Sequence, residues 1–407
     1  MNSQTALPTL YSHHFDKILE SMGHFMKFFL DSPYTRLHTE PGVSDFAIGN
    51  PHEMPLSELT TVFQKWSVPQ NKDWFAYKMN EPDAQEIVAR TLRQRMGIPF
   101  EPEDICMTNG AFAAINVVLM TIIDPGDKVV YVNPPWFFYV PMIVSHYGVP
   151  VRVDCNPQDF DLDLAAIEQA IDVNTRAVII NSPNNPTGRI YPPATLQRLA
   201  EILDKASQRN NRPIFLLSDE AYNRIIFDRH EFHSPTEYYP HSFLIYTYGK
   251  TLLAPGQRIG YIAIPPTMPM REPMRQAIFV SQMISGYSFP NALLQHALPE
   301  LEALSIDIAH IQAKRDRLGQ ALRGMGYQLK LPEGTFYLLV RSPLPDDEAF
   351  IDLLAQKLVL CLPGAAFEMP GYFRISLTAN DEMIDRALPG FAWAIEQAAR
   401  LSKTGSM

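Results

Sequence analysis

Three apolar runs constrain this chain more than anything else in it: AVIIN at 177–181, IFLLS at 214–218 and FLIYTY at 243–248. They are rich in β-branched, aromatic and leucine side chains without polar alternation, which is how a strand buried on both faces reads. Each gives way at once to a polar cluster, SPNNPTG at 182–188, SDEAY at 218–222 and GK at 249–250. Doubly buried strands belong to a parallel sheet covered by helices, and the ligands of such sheets bind beyond the carboxyl ends of the strands.

Further strand candidates lie near 105, 128, 150 and 259, making seven before residue 270, most of them separated by helical patterns. That alternation predicts parallel neighbours. Only about ten residues separate Tyr248 from Ile259, and a parallel crossover takes roughly a dozen or more, so the seventh strand is expected to run antiparallel. From about 298 the texture changes to a long charged helix through Gly326, TFYLLV at 335–340, a helix near 346–357, strands near 358 and 372, and a closing helix at 381–400. The expected class is therefore α/β, with a large domain at 46–297 and a smaller α+β domain at 298–407. Residues 1–45 form an N-terminal segment expected to pack with the smaller domain. Within it, Phe15, Ile18, Leu19, Met22, Phe25 and Met26 predict one amphipathic helix over 11–31, with His13 and His14 exposed.

Composition narrows the function. A net charge of −10 with no basic block opposes a nucleic-acid surface and favours small-molecule partners. Cys106, Cys155 and Cys361 are far apart and never in CxxC, which suggests neither a disulfide framework nor a metal site and fits a reducing cytoplasm. PHEMP at 51–55 lacks the second histidine of a zinc-protease motif. No basic-then-apolar leader is visible, and the uncharged stretch Ile105 to Ile123 contains Thr108, Asn109, Gly110 and Asn116, so it reads as strand, turn and buried helix rather than a membrane span.

Lys250 is the lone lysine of YTYGKTLLAPGQRIGY at 246–261, with Arg258 eight residues on. A lysine held at a strand end among apolar residues can lose its proton and form a Schiff base. Asn109, Gly110 and Ala111 open a helix directly after ICMT, and free N–H groups at a helix start, flanked by small residues, let a phosphate come close. Taken singly, NNPTG is equally a turn and Asp219 equally a helix cap.

In this order and spacing, the NPTG turn, the DEAY cluster and the Lys250-to-RIGY segment together resemble the aspartate aminotransferase superfamily, the fold-type I aminotransferases that use pyridoxal 5′-phosphate. The resemblance runs from FAIGNP at 46–51 to FRISL at 373–377. It implies a mostly parallel seven-stranded sheet and a homodimer with sites at the interface. It implies that Gly110, Ala111, Thr247 and Arg258 hold the cofactor phosphate, with Tyr77 reaching the phosphate of a partner subunit. Trp136 would stack on the pyridine ring, Asp219 pair with its nitrogen, and Asn185 and Tyr222 donate to its phenolic oxygen. Gly49 and Arg374, with Asn185, would border the substrate carboxylate, and Lys250 would carry the Schiff base and move the proton. Two positions depart from the pattern. Gly249 stands where the family has serine, and Pro82 stands where it has glycine after Tyr77.

The activity so implied is ping-pong transfer of an amino group from an α-amino acid to a 2-oxo acid. Phe112 occupies the place where some aspartate-specific relatives carry a lysine, which points to an apolar or aromatic substrate, with a partner-subunit Arg36 or Arg275 as the alternative. The same fold hosts carbon–sulfur lyases and cyclising enzymes, which product analysis separates from transamination. A ligand-sensing regulator is disfavoured, because the roughly 45 residues before FAIGNP are too few for a helix-turn-helix and its linker.

Overall fold

The computed structural model describes residues 10–404, so the first nine residues of the expected N-terminal segment lie outside it. Among the described residues, a two-residue strand β1 (Ser44–Asp45) precedes seven strands of one sheet: β2 (Ile105–Thr108), β3 (Lys128–Asn133), β4 (Val149–Asp154), β5 (Thr175–Asn181), β6 (Phe215–Asp219), β7 (Ser242–Thr247) and β8 (Gly260–Ala263). Their order is β2-β8-β7-β6-β5-β3-β4. Every pairing is parallel except the two made by β8, which runs antiparallel to β2 and β7 as its short connection requires.

The continuous apolar runs are explained by burial on both faces. Ala177, Ile179, Phe215, Leu217, Phe243 and Ile245 face one core that includes the helix Ala111–Ile122. The intervening Val178, Ile180 and Leu216 face a second core with the helix Pro193–Asn210. Successive side chains of a strand point to opposite faces, so neither set could be polar.

The C-terminal part forms an antiparallel sheet of β9 (Tyr337–Arg341), β11 (Leu362–Pro363) and β12 (Tyr372–Ser376), while β10 (Val359–Leu360) pairs in parallel with β1. The expected single helix through Gly326 is two, Ala292–Leu301 and Ile308–Gly324, the second capped by Asp307. The helix expected over 11–31 is also two, His13–Ser21 and Gly23–Asp31. Gly23, a poor helix former, sits at the break. His14 is half-buried rather than exposed, stacked on Tyr147 at 3.9 Å. Phe28, Tyr34 and Val43 join the core around β9 and β12, whereas Phe25 reaches Phe137 and Phe138 at 4.5 and 5.2 Å.

The turn after β5 meets the loop before β9 through two glycines. A Cβ on Gly188 would overlap Pro332, and one on Gly334 would come 2.7 Å from the Ile225 carbonyl and 2.9 Å from Pro183. Both Glu333 and Gly334 donate their N–H groups to the Gly188 carbonyl, and Arg189 pairs with Glu333 at 2.7 Å.

Candidate active site

The carboxyl ends of β5, β6 and β7 open into one cavity of about 260 Å³. Register sets its floor, since Asn181 pairs with Asp219 and Asp219 with Ile245, so the polar residues that end these strands lie side by side. Of the residues singled out from sequence, Gly49, Ala111, Trp136, Asn185, Asp219, Tyr222, Thr247, Lys250, Arg258 and Arg374 all line this cavity.

At one end, Gly260 pairs with both Thr108 and Thr247. A Cβ there would strike the Tyr246 carbonyl and come 2.9 Å from the Gly110 Cα. Its absence lets Gly110, which caps the helix Ala111–Ile122 at φ +82°, settle against Thr247 and Arg258. A Cβ on Gly110 would lie 2.8 Å from Arg258 Nη2 and 3.2 Å from Thr247 Oγ1. A helix start, a hydroxyl and a guanidinium thus converge, and among the described residues Arg258 has no acidic partner, only the Pro255 carbonyl at 2.9 Å.

Lys250 lies three residues past β7, in the helical turn Tyr248–Thr251, rather than at the strand end itself. It is half-buried, with Nζ 5.6 and 5.8 Å from the ring centres of Tyr222 and Phe336. The departure at Gly249 has a steric reason: its Cβ would stand 3.2 Å from the Pro255 Cα, because the 253–256 loop folds back onto it.

Asp219 is buried, and no cation pairs with it among the described residues. Tyr139 donates its hydroxyl to Oδ2 at 2.6 Å, and the Ala221 N–H reaches Oδ1 at 3.2 Å. Burial pushes the carboxyl above its ordinary range, although these two hydrogen bonds and the charge of Lys250 pull it down. Asn181 donates to the Asp219 carbonyl at 2.8 Å and accepts the Asn185 N–H at 2.6 Å, so it holds both residues in place.

At the opposite end, Arg374 is buried. Its Nη1 donates to Asn185 Oδ1 at 3.1 Å and its Nη2 to the Ala47 carbonyl at 2.9 Å, while Nε has no partner. With Oδ1 occupied, the Asn185 amide N–H₂ is left to face an acceptor. Gly49 lines the cavity, and the Tyr337 hydroxyl sits where a side chain on it would begin. The rings of Tyr337 and Tyr222 meet edge to face, 5.9 Å between centres. Burial resists ionisation of Tyr337, but the charges of Lys250 and Arg374 outweigh it and hold the phenol below its usual range.

Sequence reasoning passed over Tyr139, Asn181 and Tyr337. Asn181 ends an identified strand and was within reach, but the other two bear on the site only through the tertiary fold. Tyr77 lies outside the cavity, 85% exposed and 4.7 Å from the Phe289 ring. Arg275 is held by Asp104, Glu101 and Glu272, which leaves it engaged on its own surface. Arg36 is exposed and does not line the cavity.

The family model for aminotransferase class I and II matches residues 41–391. The aspartate/prephenate aminotransferase of Thermus thermophilus is 30% identical over 82% of this chain and 86% of its own. Among solved structures, an amino transferase from Eubacterium rectale superposes with a TM-score of 0.85 at 27% identity, covering 96% of each chain. The aspartate aminotransferase of Thermotoga maritima gives 0.80 at 25% identity, covering 94% of this chain and 99% of its own. With a lysine at the mouth of β7, unpaired charges around it and a family match over most of its length, the chain belongs to the class I and II aminotransferases.

Proposed function

We propose that this protein moves an amino group between α-amino acids and 2-oxo acids, using pyridoxal 5′-phosphate held in the cavity around Lys250. One observation carries the reading. A buried carboxylate without a cation, Asp219, and two arginines without anions, Arg258 and Arg374, surround a single lysine. Asp219 and Arg374 are buried and Arg258 is exposed, so the cost of an uncompensated buried charge, about 3–5 kcal/mol when one partner of a pair is removed, falls on the first two. A ligand with a phosphate at one end and a cationic ring nitrogen, joined by a substrate carboxylate, answers all three. The residues present therefore fit the cofactor. Arg258, Thr247 and the helix start at Gly110 and Ala111 would take its phosphate, Asp219 its ring nitrogen, and Trp136 its face.

When bound, the cofactor supplies a carbonyl carbon for the lysine amine and a ring that accepts the electron pair released at the substrate α-carbon. The remaining work falls to the chain. Asp219, oriented by Tyr139 and the Ala221 amide, keeps a proton on a ring nitrogen beside it. Arg374, aimed by Asn185 and the Ala47 carbonyl, binds the substrate carboxylate and turns the α-hydrogen toward Lys250. Lys250 Nζ removes that proton as a general base and returns it later as a general acid. Ile48, Phe112, Trp136 and Phe137 line the rest of the cavity and suit an apolar or aromatic side chain.

The reading extends to a cytoplasmic homodimer. Free cysteines support the compartment, and Tyr77 with Phe289, exposed on the surface, supports a second copy. No helix among the described residues is long and apolar enough to cross a membrane. The test is the visible spectrum of the purified protein with a panel of amino acids and a Lys250→Ala control. A yellow band that one donor bleaches, with one equivalent of its 2-oxo acid, is expected. A protein that stays colourless with added cofactor refutes the Lys250 assignment, and release of ammonia refutes transfer.

A further inference from the structure

We infer that Tyr337 is a positioning residue of the carboxylate site, its ring seating the Arg374 guanidinium against the loop whose Ala47 carbonyl holds the other side of it. The inference rests on the reading of Arg374 as the carboxylate anchor.

Strand register brings the two residues together. In the antiparallel pair of β12 and β9, Arg374 lies opposite Leu339 and Ser376 opposite Tyr337, so Arg374 and Tyr337 are diagonal neighbours on one face. The guanidinium carbon sits 4.1 Å from the centre of the Tyr337 ring, over its face. A desolvated cation over an aromatic face is held there by the ring quadrupole. Arg374 is buried and its Nε lacks a partner, so the ring, the Asn185 oxygen and the Ala47 carbonyl are the described contacts that fix its plane.

The hydroxyl completes the arrangement. It occupies the place where a Cβ on Gly49 would be, so the ring is seated against the same segment whose Ala47 carbonyl accepts from Arg374. The Tyr337 ring also meets the Tyr222 ring edge to face, 5.9 Å between centres, and Tyr222 lies beside Lys250. Tyr337 thus joins the carboxylate end of the cavity to the lysine end through groups that touch one another.

The test uses holoenzyme and two unreactive acids, 3-phenylpropanoate and maleate, with affinity measured by calorimetry. Tyr337→Leu, which removes the ring face, is expected to weaken both acids about five- to thirty-fold. Tyr337→Phe keeps the face and is expected to stay within about twofold of the parent. Gly49→Ala is expected to lose affinity because its new methyl group pushes the hydroxyl, and with it the ring, off the Arg374 guanidinium, and Gly49→Ala/Tyr337→Phe to regain most of it. A purely structural role for Tyr337 leaves the acid affinity of every folded variant at the parent's value. Equal affinities in Tyr337→Leu and the parent, or failure of the double variant to recover, overturn the inference. Should Tyr337→Leu not fold, the Gly49 pair decides alone. An Arg374→Leu control that binds both acids normally would instead remove the carboxylate site itself, an outcome distinct from either of these.

Discussion

Asp219 shows what a single side chain demands of its surroundings. It is buried with two donors and no counter-ion, so the cavity favours a cation beside it. Asp219→Asn keeps the shape and removes the charge. A fall in kcat of roughly 10²- to 10³-fold is expected, the usual cost of deleting one preorganised electrostatic contact, and single-turnover kinetics with the best donor measures it. Its neighbour Glu220 makes a prediction about pH. Burial pushes that carboxyl up to about 7, against hydrogen bonds from Ser234, Asn223 and Ser218. A folded pKa above the unfolded one means that the native state binds more protons between roughly pH 4.5 and 7, so stability is lost as pH rises through that window. Thermal melts of Glu220→Gln against the parent should show the difference growing in the variant's favour from pH 5 to 7.5, and a constant difference would refute it. Lys250, Asp219, Asn185 and Arg374 could be read from sequence because each sits in a short polar cluster directly after or within a strand. Tyr139 could not, because its partner is 80 residues away and WFFY reads as core packing.

At the scale of elements, glycines decide how closely the strands and the helix start approach. Gly260→Ala would drive a methyl into the Tyr246 carbonyl and the Gly110 backbone, at a cost of about 1–3 kcal/mol of stability. Since the displaced atoms belong to the end of the cavity nearest Arg258, a higher dissociation constant for the cofactor should accompany the loss. Chemical denaturation and cofactor titration measure the two effects, with Gly256→Ala as control because a Cβ there meets nothing. The strands of the main sheet were legible because burial on both faces leaves an unbroken apolar run, and the direction of β8 followed from chain length alone. The helix breaks at Met22 and between Leu301 and Ile308 were not. Periodicity continues across each of them, while the chain turns to meet partners distant in sequence.

For the whole molecule, the feature left unsatisfied is an apolar surface. Phe279, Val280, Met283 and Ile284 are exposed on the helix Arg271–Ile284, and Tyr77 and Phe289 are exposed as a pair. Exposed apolar surface of this kind marks an interaction face. Sedimentation should therefore give about twice the 46.1 kDa chain mass. Ile284→Glu should shift the particle toward the monomer and weaken cofactor retention, and a parent protein that sediments as a monomer would refute both. No reading of one sequence could place that surface, since which side of a helix meets solvent is settled only once its other side is packed. The glycine seam at 188 and 334 bears on motion. Its backbones meet through the two amides that share the Gly188 carbonyl, with Pro332 and Pro183 packed against them, so the second sheet has no room to press inward there like a jaw. Any tightening around a bound substrate is therefore expected away from this seam, where the Glu333 and Gly334 amides and the Arg189–Glu333 pair pin the Asn185 turn to the loop before β9.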